Sequence, residues 1–165
     1  MADQTADNSR GRTPATGLAL VVVGYDTSRH SEIAVLWAAE IAQRTSATLR
    51  VIWAWRRADV WEEALHGEPF TGVPPMTELQ ELAQRRLRTD VAALVGGSGA
   101  NVEYAAVNGD PEDVLVAAAI DADMLFVGSR GRGWLGSALL GSVSERCVRD
   151  ATCPVVVIPP HMAGT

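Results

Sequence analysis

Met124-Leu125-Phe126-Val127-Gly128-Ser129-Arg130-Gly131, then nine residues, then Gly141-Ser142-Val143-Ser144 is the stretch whose interpretation decides the fold of this chain. The apolar run Met124 to Val127 predicts a strand, and a helix-compatible run follows Gly141. Strand, glycine loop and helix start, in that order, suit the binding of phosphate. Glycines let a backbone come close to an anion, and free N–H groups at the helix start receive it. Ser142 and Ser144 add hydroxyl donors, while Arg130 and Arg132 put positive charge beside the loop. Glycines between a strand and a helix can also be plain turn residues that need a positive φ. Three glycines with two serines and two arginines together favour the anion site.

Outward from this loop, strands alternate with helices. Leu18 to Tyr25 (LALVVVGY) is a continuous valine-rich apolar run, the mark of a strand buried on both faces of a parallel sheet. Ser28 follows as an N-cap with Glu32 in the first turn, and Ile33, Leu36, Trp37 and Ile41 recur at helical spacing to about Arg44. Thr48 to Trp55 predicts a second strand, so these pieces form a β-α-β unit with a right-handed crossover. Arg56 to Pro75 is rich in Gly and Pro and predicts a long irregular connection. Met76 to Val95 carries Leu79, Leu82, Leu87, Val91 and Leu94 on one helical face, ended by Gly96-Gly97. Asn101 to Val107 predicts a third strand. Pro111 opens a helix running over Val114 to about Ile120, with Glu112 and Asp113 favourable beside its start. Met124 to Gly128 is the fourth strand, Ser142 to Arg149 the last helix, and Val155 to Ile158 the last strand. The pattern predicts an α/β fold on an open parallel sheet, Rossmann-like, with helices on both faces. Residues 1–16 are expected to be a disordered tail and residues 17–160 one domain.

Composition narrows the function. A hydrophobic share of 47% is ample for one core, and a formal net charge of −6 disfavours general binding to nucleic acid or anionic membranes. Apolar runs are too short to span a bilayer, and the polar N-terminus has no secretory h-region, so the expected compartment is the cytoplasm. Every basic side chain is arginine or histidine; there is no lysine. That excludes a P-loop lysine and a Schiff-base lysine, and leaves backbone, hydroxyls and arginine to hold any phosphate. Cys147 and Cys153 are too few for a disulfide framework and read as small, partly buried hydrophobes. His30, His66 and His161 form no arrangement with a nucleophile, and an exposed position is expected for His30.

In open α/β sheets ligands bind at the carboxyl ends of the strands, where the strand order reverses. Two loops compete for that place: Gly24-Tyr25-Asp26-Thr27-Ser28 after strand one, and the glycine loop after strand four. Gly24 would let the backbone pass close to a ligand, and Asp26 would offer a carboxylate to a ribose hydroxyl or base amino group. Asp26 also suits a turn-forming or capping role. Ala54 and Val127 would wall the base. Asp110, Asp121 and Asp123 stand at helix or strand starts, where capping explains them. No dedicated metal site is expected, although Mg2+ can arrive with a nucleotide.

These residues together resemble the universal stress protein family. Gly128-x2-Gly131-x9-Gly141-Ser142 is similar to that family's ATP-binding signature, G-x2-G-x9-G-[S/T]. VVVGYDTS resembles its first strand and aspartate turn, Gly109-Asp110-Pro111 its G-x-P turn, and Cys153-Pro154-Val155-Val156-Val157-Ile158 its closing strand. The resemblance covers nearly all the chain after Leu18. It implies a five-stranded parallel sheet in the order 3-2-1-4-5 and a homodimer through the last strand, Val155 to Ile158. It also implies an adenine nucleotide, ATP, at the ends of strands one and four. By position, Asp26 would contact ribose or adenine, Ala54 the base, and Gly128, Gly131, Gly141, Ser142 and Val143 the ribose and phosphates. Trp53 stands where the family often has histidine, and Arg130 and Trp134 match no fixed position. The reading that follows is a stress-response regulatory protein switched by ATP, with no enzymatic role. The alternatives are a cyclic AMP or AMP module, and a slow ATP-hydrolysing enzyme. The last lacks the S-G-G-x-D-S motif of that wider group after strand one.

Overall fold

The computed structural model describes residues 17–58, 75–131 and 140–159. Five strands form one sheet: β1 (Leu20–Gly24), β2 (Thr48–Trp55), β3 (Asn101–Asn108), β4 (Met124–Gly128) and β5 (Val155–Ile158). All pairings are parallel and the spatial order is β3-β2-β1-β4-β5, as the resemblance implies. Among the described residues the helices between them are α1 (Arg29–Thr45), α2 (Met76–Val95), α3 (Pro111–Ala118) and α4 (Ser142–Asp150). The central register sets Val23 beside Val51 of β2 and Phe126 of β4.

The valine run of β1 is buried on both faces because helices cover both. Val21 and Val23 pack with Leu49, Val51 and the inner faces of α1 and α2. Val22 packs with Ile52, Leu125, Val127, Leu115 of α3 and Cys147 of α4. Trp53 and Trp55 of β2 join the first cluster.

Local chemistry shifts several boundaries. β1 begins at Leu20 rather than Leu18 because the Ala19 and Leu20 N–H groups donate to the Asp123 carboxylate at 2.7 and 2.9 Å, outside the ladder. α3 opens at Pro111 as expected, where Asp110 caps it by accepting the Glu112 N–H at 3.0 Å, and it ends at Ala118 rather than near Ile120. α1 ends with Ser46 in the left-handed region, φ 57°, and its N–H and that of Ala47 satisfy the last carbonyls.

α1 departs from the expected orientation. Ile33 is buried, but Leu36 and Trp37 are 43% and 46% exposed. The face toward the sheet is instead Ala34, Val35, Ala38, Ala39 and Ala42. A helix with apolar residues nearly all round leaves its direction open, and the alanine face permits closer approach to the sheet.

The Arg56–Pro75 connection falls largely outside the described residues. So do the N-terminal tail, Arg132, Trp134, His66 and His161.

Candidate functional site

The loops after β1 and β4 open on one crevice because β1 pairs with both β2 and β4. This is where the connections diverge: from β1 the chain crosses to β2, while β4 lies on the opposite side. A cavity of about 560 Å³ fills the crevice. Gly24, Asp26, Ala54, Val127, Gly128, Gly131, Gly141, Ser142, Val143 and Ser144 all line it. The structure thus gathers these ten residues in one place, while Arg132 lies outside the described residues.

The loop after β1 is built by a closed set of short-range bonds. The Asp26 carboxylate accepts the Ser28 N–H at 3.0 Å and the Ser28 hydroxyl. The Ser28 Oγ accepts the Ser31 N–H, capping α1. The Ser31 hydroxyl donates to the Ser28 carbonyl at 2.8 Å and accepts the Asp26 N–H at 3.2 Å. This Asx turn holds Thr27 at φ 67°, a strained conformation for a β-branched residue. Oδ1 of Asp26 is therefore a turn former. Oδ2 faces the glycine loop, only 2.7 Å from where a Cβ on Gly131 would stand. Asp26 thus has the turn-forming role that the sequence set against ligand contact, and its second oxygen lines the crevice beside Gly131.

Gly24, Gly128 and Gly131 are needed for close approach, not for a turn. Among the described glycines only Gly17 and Gly99 have positive φ. A Cβ on Gly24 would meet Leu115 of α3 at 2.8 Å, so that glycine makes room for the chain's own leucine rather than for a ligand. A Cβ on Gly128 would meet the His30 Cβ at 2.8 Å. His30, expected to be exposed, is half-buried and lies over β4. Gly131 faces the Asp26 carboxylate of the loop after β1, and Gly141 is surrounded by Ser129, Arg130 and Gly131 of the glycine loop itself.

At the other wall, Gly141 is the N-cap of α4 and supplies no side-chain cap bond. Its own N–H donates to the Ser129 carbonyl at 2.7 Å. The first α4 bond joins Glu145 N–H to Gly141 O, so the N–H groups of Ser142, Val143 and Ser144 lie ahead of the helical ladder, where helices receive anions. Ser144 corrects an expectation. It is 2% exposed, and its hydroxyl donates to the Ser129 and Gly141 carbonyls at 3.2 and 2.9 Å. It clamps the two ends of the glycine loop, leaving the hydroxyl of exposed Ser142 as the accessible one.

The sequence did not single out Tyr25, Ile52, Trp53, Arg56, Pro111 and Leu115 as part of the site. Arg56 directly follows β2, the strand beside β1, and that placement was the available signal. It pairs with Asp110 at 3.9 Å. Among the described lining residues the charges are Asp26, Arg56 and Arg130, a net positive wall in an acidic chain. Burial, reinforced by Asp90 and Glu32, raises the Tyr25 phenol well above its usual range, so it stays neutral. Burial likewise pushes the Cys147 thiol up to about 11 and raises Cys153, which fits two inert hydrophobes. Among the described residues no group of three or more His, Cys, Asp or Glu is placed to hold a metal, and no helix is long and apolar enough to cross a membrane.

An open parallel α/β sheet in the order β3-β2-β1-β4-β5, with two loops opening on one crevice where the order reverses, defines a Rossmann-like class of fold. The sequence profile of the universal stress protein family matches residues 20–159, and the chain belongs to that family. Universal stress protein Rv2005c of Mycobacterium tuberculosis is 34% identical over 140 residues, covering 84% of this chain and 47% of that protein. The chain thus spans about half the length of its mycobacterial relatives. A universal stress protein of Thermus aquaticus is 32% identical over 146 residues, covering 84% of this chain and 96% of that one. Among solved structures, a universal stress protein in complex with cAMP is 28% identical, with TM-score 0.59, covering 86% of this chain and 97% of that chain.

Proposed function

We propose that this protein binds an adenine nucleotide, ATP in the first place, and acts in the stress response through the conformational change that occupancy brings. The observation that carries this reading is the uncapped N-terminus of α4, which opens on the same cavity as Gly131, Asp26 and Ala54. The phosphates would lie at Gly131, Gly141 and the Ser142 and Val143 amides, with Arg130 beside them. The ribose would lie near Asp26, and the base between Ala54, Val127 and Leu115.

Magnitudes fit. Micromolar affinity needs about 8 kcal/mol. Charge-assisted bonds contribute about 1.5–3 kcal/mol each, so three or four with an apolar wall are sufficient after ordering costs. The absence of lysine is no obstacle, because oriented peptide amides and arginine do the same work.

Binding rather than turnover is part of the proposal. The lining hydroxyls of Ser31 and Ser144 donate to backbone carbonyls, so neither is poised beside a base. Magnesium would travel with the phosphates. The homodimer through Val155–Ile158 belongs to the same proposal: occupancy at Gly128 and Gly131 adjoins the β4–β5 ladder, which links Gly128 to Ile158.

A second reading, a cyclic AMP or AMP module, is favoured by the cAMP-bound relative. Calorimetric competition among ATP, AMP and cyclic AMP decides between them. Micromolar ATP binding at least about tenfold tighter than cyclic AMP supports the first reading. The reverse order replaces it with the second, and no binding by any adenylate with the fold intact removes both.

A further inference from the structure

The apolar end of the crevice carries a charged pair. Ile52, Ala54 and Arg56 stand two residues apart, so they follow one face of β2 and its continuation, and all three line the cavity. The opposite face of the strand, with Val51, Trp53 and Trp55, is packed in the core. Arg56 sets Nη1 at 3.9 Å from Oδ2 of Asp110. Asp110 is itself fixed, because its Oδ1 accepts the Glu112 N–H at 3.0 Å and caps α3. The turn before it is tied to β2 as well. The Trp55 carbonyl accepts the Gly109 N–H at 3.0 Å and the Asn108 Nδ2 at 3.2 Å. The Arg56 side chain therefore reaches from the end of β2 to the start of α3, where Pro111 and Leu115 also line the cavity.

An ion pair this exposed adds little to stability. What it does is hold a flat guanidinium beside Ala54, Val127 and Leu115. A guanidinium is planar and weakly hydrated, and it stacks on the face of a π system. A nucleobase presents such a face. The phosphate end lies elsewhere. β1 separates β2 from β4, so Arg56 and the glycine loop follow strands two spacings apart, about 9.5 Å. Arg130 already supplies a positive charge there.

We propose that Arg56, aligned by Asp110, is the plate on which a purine base stacks, and that it sets the preference of this site for purine over pyrimidine nucleotides. The inference rests on the nucleotide reading above and adds to it a positioning residue and a selectivity. A two-ring purine covers the guanidinium plane, whereas a pyrimidine held by the same ribose and phosphates covers less of it. Lysine at this position would keep the charge and lose the plane.

Two measurements on the whole chain test it. In an ATP titration followed by nuclear magnetic resonance, ring current from a stacked base should move the Arg56 Nε–H signal upfield, and inorganic triphosphate should leave it in place. A signal that stays put while the Gly131 and Gly141 amides saturate overturns the stacking and leaves the nucleotide reading standing. An equal shift with triphosphate assigns Arg56 to the phosphates and overturns it too. No saturable change at any amide removes both readings. Calorimetry then reads selectivity. Arg56→Ala and Arg56→Lys should each weaken ATP binding about fivefold and UTP binding less than about twofold. Full ATP affinity in Arg56→Lys would show that charge suffices, and would overturn the stacking. Equal losses for ATP and UTP, or UTP bound as tightly as ATP by the unmodified protein, would overturn the selectivity.

Discussion

Gly131→Ala is the sharpest perturbation that the site offers. The new Cβ would stand 2.7 Å from Oδ2 of Asp26, roughly 0.7 Å inside comfortable van der Waals contact. A carboxylate at the end of a free side chain would rotate away at little cost. Asp26 is not free: its other oxygen holds the Ser28 N–H at 3.0 Å and the Ser28 hydroxyl, and those bonds shape the turn that starts α1. Relieving the clash therefore loses at least one bond to a charged acceptor, a cost of about 1.5–3 kcal/mol. Urea denaturation should show this loss in Gly131→Ala. It should shrink to within about 0.5 kcal/mol when the same change is made on an Asp26→Ala background, because the obstructing group has gone. The same substitution should weaken adenylate binding at least about tenfold, since loop and turn can no longer approach each other. An equal stability loss on both backgrounds would show that the Asp26–Gly131 contact does not set the loop, and would refute the reasoning.

Further expectations follow from other parts of the site. Ser144→Ala should cost about 1–3 kcal/mol in urea denaturation, because two loop carbonyls lose a buried donor; a change near zero would mean the clamp is not needed. Thr27→Asn should stabilise by about 1 kcal/mol, since asparagine tolerates the left-handed conformation that threonine is forced into at φ 67°. A lower melting temperature would contradict the strain. The Cys147 thiol is held up to about 11 in the folded chain, against about 8.5 when unfolded. Between those values unfolding releases a proton, so this group's contribution is fully present below the lower value and is lost as pH rises toward the higher one. Stability measured through that window should fall less steeply in Cys147→Ala than in the unmodified protein; identical slopes would exclude the thiol as a source.

The sequence carried most of the frame because its signals were local. Strands β2, β4 and β5 matched expectation residue for residue, since continuous apolar runs ended at clear breaks such as Pro154 and the Gly128 loop. The site residues also came together, because strand ends and glycine loops follow from chain order once β1 and β4 are neighbours. What could not be read depended on partners far along the chain. Gly24 answers to Leu115 and Gly128 to His30, contacts that no periodicity encodes. Ser144 looked like a ligand donor until the fold brought the Ser129 carbonyl to it. Leu36 and Trp37 looked like core, but the all-round apolar character of α1 left the choice of face to packing, and the alanines took it. The helical spacing of α2 does not single out Gln80 and Gln84, and only the placement of α2 beside β3 brings them to the Ala106 and Tyr104 carbonyls.

Amide chemical shifts followed during an ATP titration test the account at its centre, which is that peptide N–H groups hold the nucleotide's phosphates in a chain without lysine. The expected result is a saturable shift of the Gly131, Gly141, Ser142 and Val143 amides, with Asp26 and Ala54 moving in step. Saturation without any change at those amides, or with shifts confined to α2 and β3, would contradict it.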